Sequence, residues 1–468
     1  MTPAWLADLA IVLRAYGLAV EPADLARCLE QHILIDRDAL EAAGVVCHAQ
    51  PALKVYTRRI RTWLGRRAVP AYQVLDDHFA MSGAALEPIW VDAQGHTCLA
   101  WLESSGERKL ALGFDPVAQL IRYRQGDPAR ANQAVNKALY GFEFERPNYL
   151  FQEQLHDSLR TIPWADRLGF TLARMLAPIM SMPLIEPLPG GARGLVLLTG
   201  DDDQAFLDKY DQQLRAIGTT PITYYLVPQT RHTPQTLGAL PSTVDFGVHP
   251  DALERPDLYD SACAEQTAFV RGLTGRACRT VRNHGYLNRG YLGHLQAWES
   301  NGLELDLNLP GVDGTALNGS FLPMRVRRPD GSWSSHFTLL TAFGDGMMLA
   351  LNMSARAACR SITRLAQQVE RDAPAVLVFN LHPQNISQTV ALHKKVRWLC
   401  ARPGWRAMSV ERYLDWVKRL DQVCVQHHGG GWTIRSEEPV EGLVMSVPES
   451  GNWRRVALPR WSGEQEVV

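Results

Sequence analysis

The chain lacks any bias of charge and any ordered spacing of cysteines, and each absence narrows what it can be. Its 468 residues carry 48 lysines and arginines against 49 aspartates and glutamates, a formal net charge of -1. That balance excludes a polybasic nucleic-acid binder. The eight cysteines (Cys28, Cys47, Cys98, Cys263, Cys278, Cys359, Cys400, Cys424) include no Cys-x-x-Cys pair. Neither a zinc ribbon nor a disulfide scaffold is therefore expected, and reduced, mostly buried thiols are the default. Uninterrupted apolar runs are also missing: a membrane span needs about 20 such residues, and the best candidate, Leu168 to Leu188, contains Arg174 and three prolines. The segment Met1 to Ala19 is apolar but holds Asp8 and Arg14, with no basic leader and no small-residue cleavage site. A soluble, cytoplasmic protein without a membrane span is the expectation.

What is present is the composition of an ordinary globular protein, 46% hydrophobic and 21% charged. At 52.2 kDa the chain exceeds the size at which a single core usually keeps growing, so two or three domains are expected. Pro178 to Gly191 has four prolines and a glycine pair, a composition that supports neither helix interior nor central strand. The main boundary belongs there. Before it, residues 1–185 read as an α+β region of no assigned role, with helix and some strand up to Arg67, a small antiparallel sheet over Leu86 to Leu112, and helices over Pro128 to Leu139 and Asn148 to Met180. After Gln426 the pattern changes again to Trp432-Thr433-Ile434, Val440 to Val447 and Val456-Ala457-Leu458, a small β appendage over residues 426–468.

The middle region, residues 192–425, has a different rhythm. Gly194 to Thr199 is a short, wholly apolar run of the kind buried in a sheet covered on both faces. An amphipathic helix from Gln204 to Ile217 follows, then a β-branched and aromatic strand from Ile222 to Val227. Further strand candidates at Val244 to Val248 and Ala375 to Leu381 alternate with helices at Asp260 to Leu273, Arg289 to Asn301 and Arg356 to Asp372. A β/α barrel is the economical architecture.

Polar clusters sit where these strands end. Thr199-Gly200-Asp201-Asp202-Asp203 puts three carboxylates at the end of a buried strand, where barrel enzymes build their sites. Three adjacent like charges repel, and a cation is the natural compensation. An exposed acidic turn capping the next helix is the simpler alternative. Asp245-Phe246-Gly247-Val248-His249-Pro250, Arg282-Asn283-His284-Gly285-Tyr286 and Asn380-Leu381-His382 repeat the theme with an imidazole each. Taken one at a time, such histidines are more often hydrogen-bonded loop residues. Four clusters at four strand ends form a pattern, because a barrel gathers those ends on one face.

In these residues the sequence resembles the polysaccharide deacetylases of carbohydrate esterase family 4. Their Thr-Phe-Asp-Asp-Gly motif is similar to Thr199-Gly200-Asp201-Asp202-Asp203, and their G-x-x-A-T-F-F strand to Gly218 to Tyr225. The resemblance implies an α/β fold with a (β/α) barrel of the polysaccharide deacetylase type, preceded by the α+β region and followed by the β appendage. It also implies Asp201 as catalytic base and Asp202 as a metal ligand. The family's Glu-x-Gly-x-His-Thr-x-x-His motif is matched only through His249, since its second histidine falls at Leu253. His284, in the segment similar to Arg-x-Pro-x-Gly, is proposed to supply the absent imidazole. By the Leu-x-His motif His382 is the general acid, and Arg282 is expected to orient Asp201 through a bidentate contact.

These assignments imply a hydrolase that uses one divalent ion, zinc first among candidates, to remove an N-acyl group, acetyl by preference, from an amino sugar or glycan. A backbone N–H near Tyr286 is expected to hold the oxyanion. Asp203 stays open as an alternative ligand to Asp202. His336 and Asp345 are candidates to line the same mouth, with no role assigned; Trp298 and Trp333 are either sugar-stacking or core residues. Two other functions stay open: a metal-dependent hydrolase of a non-sugar C–N bond, and a non-catalytic carbohydrate-binding protein.

Overall fold

Seven parallel strands close into a barrel in the computed structural model, which describes residues 2–62, 65–104, 106–126, 161–287, 292–311, 319–428, 431–449 and 452–467. They are β1 (Gly194–Asp201), β2 (Ile222–Leu226), β3 (Val244–Val248), β4 (Thr280–Val281), β5 (Leu305–Pro310), β6 (Trp333–Gly344) and β7 (Ala375–Asn380). Each pairs with the next, and β7 returns to β1. All eight residues of β1 and all six of β7 are buried, as expected of strands covered on both faces. The β/α barrel of the sequence reading is therefore the observed fold.

Helices between the strands form the outer layer. Leu207–Ile217, Tyr259–Thr274 and Ala355–Arg371 correspond to the amphipathic segments of the sequence. The helix expected from Arg289 is shorter, Leu295–Ser300, with residues 288–291 outside the described residues. The expected helix at Pro128 to Leu139, and the first part of the one from Asn148, also lie outside them; the latter is seen from Trp164 to Ile179. No helix among the described residues is long and apolar enough to cross a membrane.

The region before the barrel is richer in strand than its sequence suggested. Eight strands between Ile33 and Leu112 form one largely antiparallel sheet, including the long hairpin Lys54–Thr62 and Gly65–Val74. After the barrel, five strands from Cys424 to Val467 build two small sheets, one of which recruits Leu184–Ile185. One of three hydrophobic clusters among the described residues runs through all three regions. Leu13, Tyr16, Trp164 and Leu172 pack in one cluster with Leu195, Leu197, Val376 and Val378 of the barrel and with Ile434 and Met445 of the tail.

Polar clamps reinforce the junction. Arg124 is buried and donates to the carbonyls of Leu322 and Pro323 at 2.8 and 2.7 Å. Gln125 exchanges two hydrogen bonds with the backbone of Arg327. Asp166 accepts from Ser320 Oγ at 2.6 Å and from the N–H of Phe321 at 2.7 Å. The segment from Ser320 to Arg327, which leads into β6, is thus held by residues that precede the barrel.

This shared core makes the barrel dependent on its flanks. Trp164→Ala is expected to destabilise the whole chain by about 3–5 kcal/mol in a single chemical unfolding transition. A fragment spanning residues 192–425 should show no cooperative melt. A stable, cooperatively melting fragment would show instead that the barrel needs none of these contacts.

Candidate functional site

The carboxyl ends of β1, β3, β4 and β7 converge as barrel geometry requires. Arg282, directly after the two-residue β4, is completely buried and reaches across the barrel. Its Nη1 donates to Thr199 Oγ1 at 2.8 Å and to Asp201 Oδ1 at 2.9 Å, its Nη2 to Thr341 Oγ1 at 3.2 Å. The contact expected to be bidentate is therefore shared among three partners, with one oxygen of Asp201 engaged. Asn380 Nδ2 takes the other, at 2.7 Å from Asp201 Oδ2. Burial favours a neutral carboxyl at Asp201, but Arg282, His249 and His382 hold it well below the usual carboxylate range.

The expected ligand Asp202 faces the other way. Its Oδ1 accepts from the hydroxyl of Tyr210 on the helix Leu207–Ile217, and burial pushes its carboxyl up rather than down. Asp202 thus lies against the covering helix, outside the cluster of Asp203, His249 and His284. The correction is one residue along: Asp203 Oδ1 lies 3.3 Å from His249 Nε2 and 3.6 Å from His284 Nε2. Asp203 turns inward because its backbone is left-handed, φ 40°, followed by φ 60° at Gln204. It occupies the glycine position of the motif that the sequence resembles, and aspartate is among the few residues that tolerate this conformation. Gly200 stands where that motif has phenylalanine because a Cβ there would meet Leu381 O at 2.8 Å.

Asp203, His249 and His284 offer ligand atoms that all lie within 4.8 Å of one another. Ligands about 2.0–2.1 Å from a tetrahedral zinc stand roughly 3.4 Å apart, close to the two separations above. The donor set also fits a cation on its unsatisfied atoms. His249 Nε2 and Asp203 Oδ1 are buried, and neither makes a hydrogen bond of good geometry. His249 Nδ1 donates to the carbonyl of Arg282 at 2.5 Å, which leaves the Nε2 lone pair facing the centre. Asp251 Oδ1 stands 3.1 Å from His284 Nδ1 in the same supporting position. Burial opposes charge on His284, yet Asp251 and Asp203 raise its pKa.

His382 closes the site from β7. Its Nε2 is 3.4 Å from Asp201 Oδ2 and 3.5 Å from Asp203 Oδ2. Behind it, Nδ1 and the backbone N–H contact the two oxygens of Asp345 at 2.5 and 2.9 Å. Asp345 was placed by sequence near the mouth without a role; here it aims the imidazole and, against the effect of burial, helps raise its pKa well above the usual value. Sequence reasoning assigned nothing to Asn380 or Asp251.

One expectation fails. His336 is fully buried early in β6, between Leu303 O at 2.8 Å and Asp306 Oδ2 at 3.1 Å, away from the mouth. The backbone N–H of Tyr286 itself donates to Asn283 O at 2.9 Å. Trp298 and Trp333 bond Tyr259 and Asp8 through their indoles and belong to the packing.

No family model and no curated protein matches the chain. Among solved structures the fold is similar to a protein described as a polysaccharide deacetylase from Mycobacterium smegmatis, at 15% identity over 49% of this chain and 92% of that one, TM-score 0.38. A second, from Pseudomonas aeruginosa PAO1 and described likewise, gives 14% identity over 52% and 97%, TM-score 0.39. A third is the Puue allantoinase, at 15% identity over 51% and 94%, TM-score 0.38.

The one-residue correction has a direct consequence for metal affinity. Asp203→Asn and His249→Gln should each weaken zinc binding, followed by calorimetry, at least tenfold, and Asp251→Asn by about 10–100-fold as a supporting partner. Asp202→Asn should leave the affinity within about threefold. The opposite ranking of Asp202 and Asp203 would return the ligand to Asp202.

Proposed function

We propose that the chain is a metal-dependent hydrolase that removes an N-acyl group, acetyl by preference, from an amino sugar or glycan. The observation that carries this reading is the pairing of a buried, ionised Asp201 with a backed imidazole, His382, at 3.4 Å, on the edge of the Asp203, His249, His284 cluster. Zinc is the ion best matched to two imidazoles and one carboxylate, a set that leaves a fourth tetrahedral position open. Such an ion, when bound, polarises an amide carbonyl and makes a water acidic enough to attack it.

Each protein group then has a defined task. Asp201 takes a proton, and its two held oxygens fix where that proton is received. Arg282 keeps Asp201 ionised before the substrate arrives, which a buried carboxylate cannot manage alone. His382 delivers a proton to the departing amine through Nε2, because Nδ1 is committed to Asp345. Tyr286 hydroxyl, 3.2 Å from Asn380 Nδ2, stands where a side-chain donor to the oxyanion is needed in place of the occupied backbone N–H. The motif resemblance supports a sugar-borne amide as the bond attacked.

The test is acetate or formate release from N-acyl amino sugars and N-acetylated oligosaccharides. Asp201→Asn and His382→Gln should each lower kcat by about 100-fold or more. A chelator should abolish turnover and zinc restore it. Release from no member of the panel, with hydrolysis of a non-sugar amide that Asp201→Asn removes, would move the assignment to the other C–N hydrolase.

A further inference from the structure

The helix Leu207–Ile217 buries Tyr210, Gln213, Ala216 and Ile217. Ala216 and Ile217 suit such a face, and the hydroxyl of Tyr210 is taken up by Asp202. Gln213 brings a whole amide into the interior, and a polar group removed from water costs free energy unless its hydrogen-bonding atoms are met.

Both polar atoms of that amide are met. Nε2 donates to the carbonyl of Leu381 at 2.6 Å and stands 2.8 Å from His393 Nε2, while Oε1 accepts from the hydroxyl of Tyr224 at 2.8 Å. A carbonyl can only accept, so the nitrogen faces Leu381 and its second N–H faces His393. His393 is therefore an acceptor at Nε2. Its proton sits on Nδ1, directed at Thr389 O 2.9 Å away in the helix Ile386–Cys400. Burial lowers the pKa of His393, which favours that neutral form.

What the amide holds is the peptide unit that leads into His382. The carbonyl of Leu381 goes to Gln213, and at the other end of the same peptide the N–H of His382 goes to Asp345 Oδ2 at 2.9 Å. A peptide is a rigid plane that includes the Cα of the residue that follows. Two side chains gripping its opposite ends thus fix the rotation from which the imidazole of His382 departs. Gly200 completes the arrangement, because a Cβ there would meet Leu381 O at 2.8 Å and push the carbonyl off the amide.

We infer that Gln213 is a positioning residue for His382, acting through the Leu381 carbonyl as Asp345 acts through the ring and the N–H. An apolar side chain of similar length would fill the same space, so the amide adds what packing alone does not: the choice of one peptide rotation. The placement stands on these hydrogen bonds; its effect on turnover rests on the hydrolase reading above.

The experiment compares three variants of the full chain. Gln213→Met keeps the length of the side chain and removes both N–H groups, and Gln213→Glu keeps its shape but cannot donate to both partners. Ile217→Ala, a truncation in the same helix that lowers stability and touches none of these bonds, is the control. Thermal melts establish that each variant is folded. In proton NMR, the downfield imidazole N–H that His382 directs at Asp345, identified by its loss in His382→Gln, should shift and broaden in both Gln213 variants and persist in Ile217→Ala. In N-acyl hydrolysis both Gln213 variants should lower kcat by about tenfold or more with KM within about twofold, and the control should keep the parent's values. A parent-like resonance in either folded Gln213 variant, or its equal loss in Ile217→Ala, would overturn the proposal. A parent chain that hydrolyses no N-acyl substrate would overturn the reading of function instead, and the resonance would still decide the placement.

Discussion

A guanidinium buried completely inside the barrel is the constraint on which the site depends. Arg282 cannot be deprotonated, so the barrel interior must supply acceptors and an aromatic face around its charge. Thr199, Asp201 and Thr341 provide oxygens, and the ring of Tyr225 lies 4.7 Å beneath the guanidinium. In the same residue the main-chain carbonyl fixes His249. One position therefore holds the candidate base with its side chain and orients a candidate ligand with its backbone. Removing such a buried cation leaves a carboxylate uncompensated, typically a loss of about 3–5 kcal/mol, so the fold and the chemistry draw on one ion pair.

The alternation of β-structure decides which of three adjacent aspartates does what. Thr199 and Asp201 share a face of β1 and both meet Arg282 within the barrel. Asp202 falls on the opposite face, where Tyr210 of the covering helix meets it. Asp203 lies just past the strand and shares the parity of Asp201, and its left-handed backbone completes the turn inward. The resemblance by residue type set Asp202 against the second aspartate of a known motif. Period-two reasoning applied to the same five residues favours Asp201 and Asp203.

Strands dominated by apolar and aromatic residues were legible: Gly194 to Thr199, Ile222 to Val227, Val244 to Val248 and Ala375 to Leu381 mark strands of the barrel. Those that carry polar residues inward were not. Leu305–Pro310 brings Asp306 and Asn308 into the interior, and the two residues of β4 are too few to show a period. Trp333–Gly344 is broken in pattern by Ser334 and His336, which are buried on hydrogen bonds. The site was legible to the same extent. His249, His284 and His382 were visible as imidazoles after strands, whereas Asp345 was placed near the mouth without a role and Asp251 lies in a loop with no period to mark it.

Charge balance links these features to what the site is built to receive. Asp201, Asp203 and Asp345 converge, and Asp251 stands behind them, while Arg282 is the one permanent cation among the described residues in contact with that group. The neighbouring carboxylates raise the pKa of both His284 and His382 against the effect of burial. A divalent ion held by Asp203, His249 and His284 would need His284 Nε2 without a proton. His382, held by Asp345 outside the three-ligand set, would keep its own. The convergence of carboxylates thus calls for a cation beside Asp203, His249 and His284, while Asp345 sets His382 apart from that group.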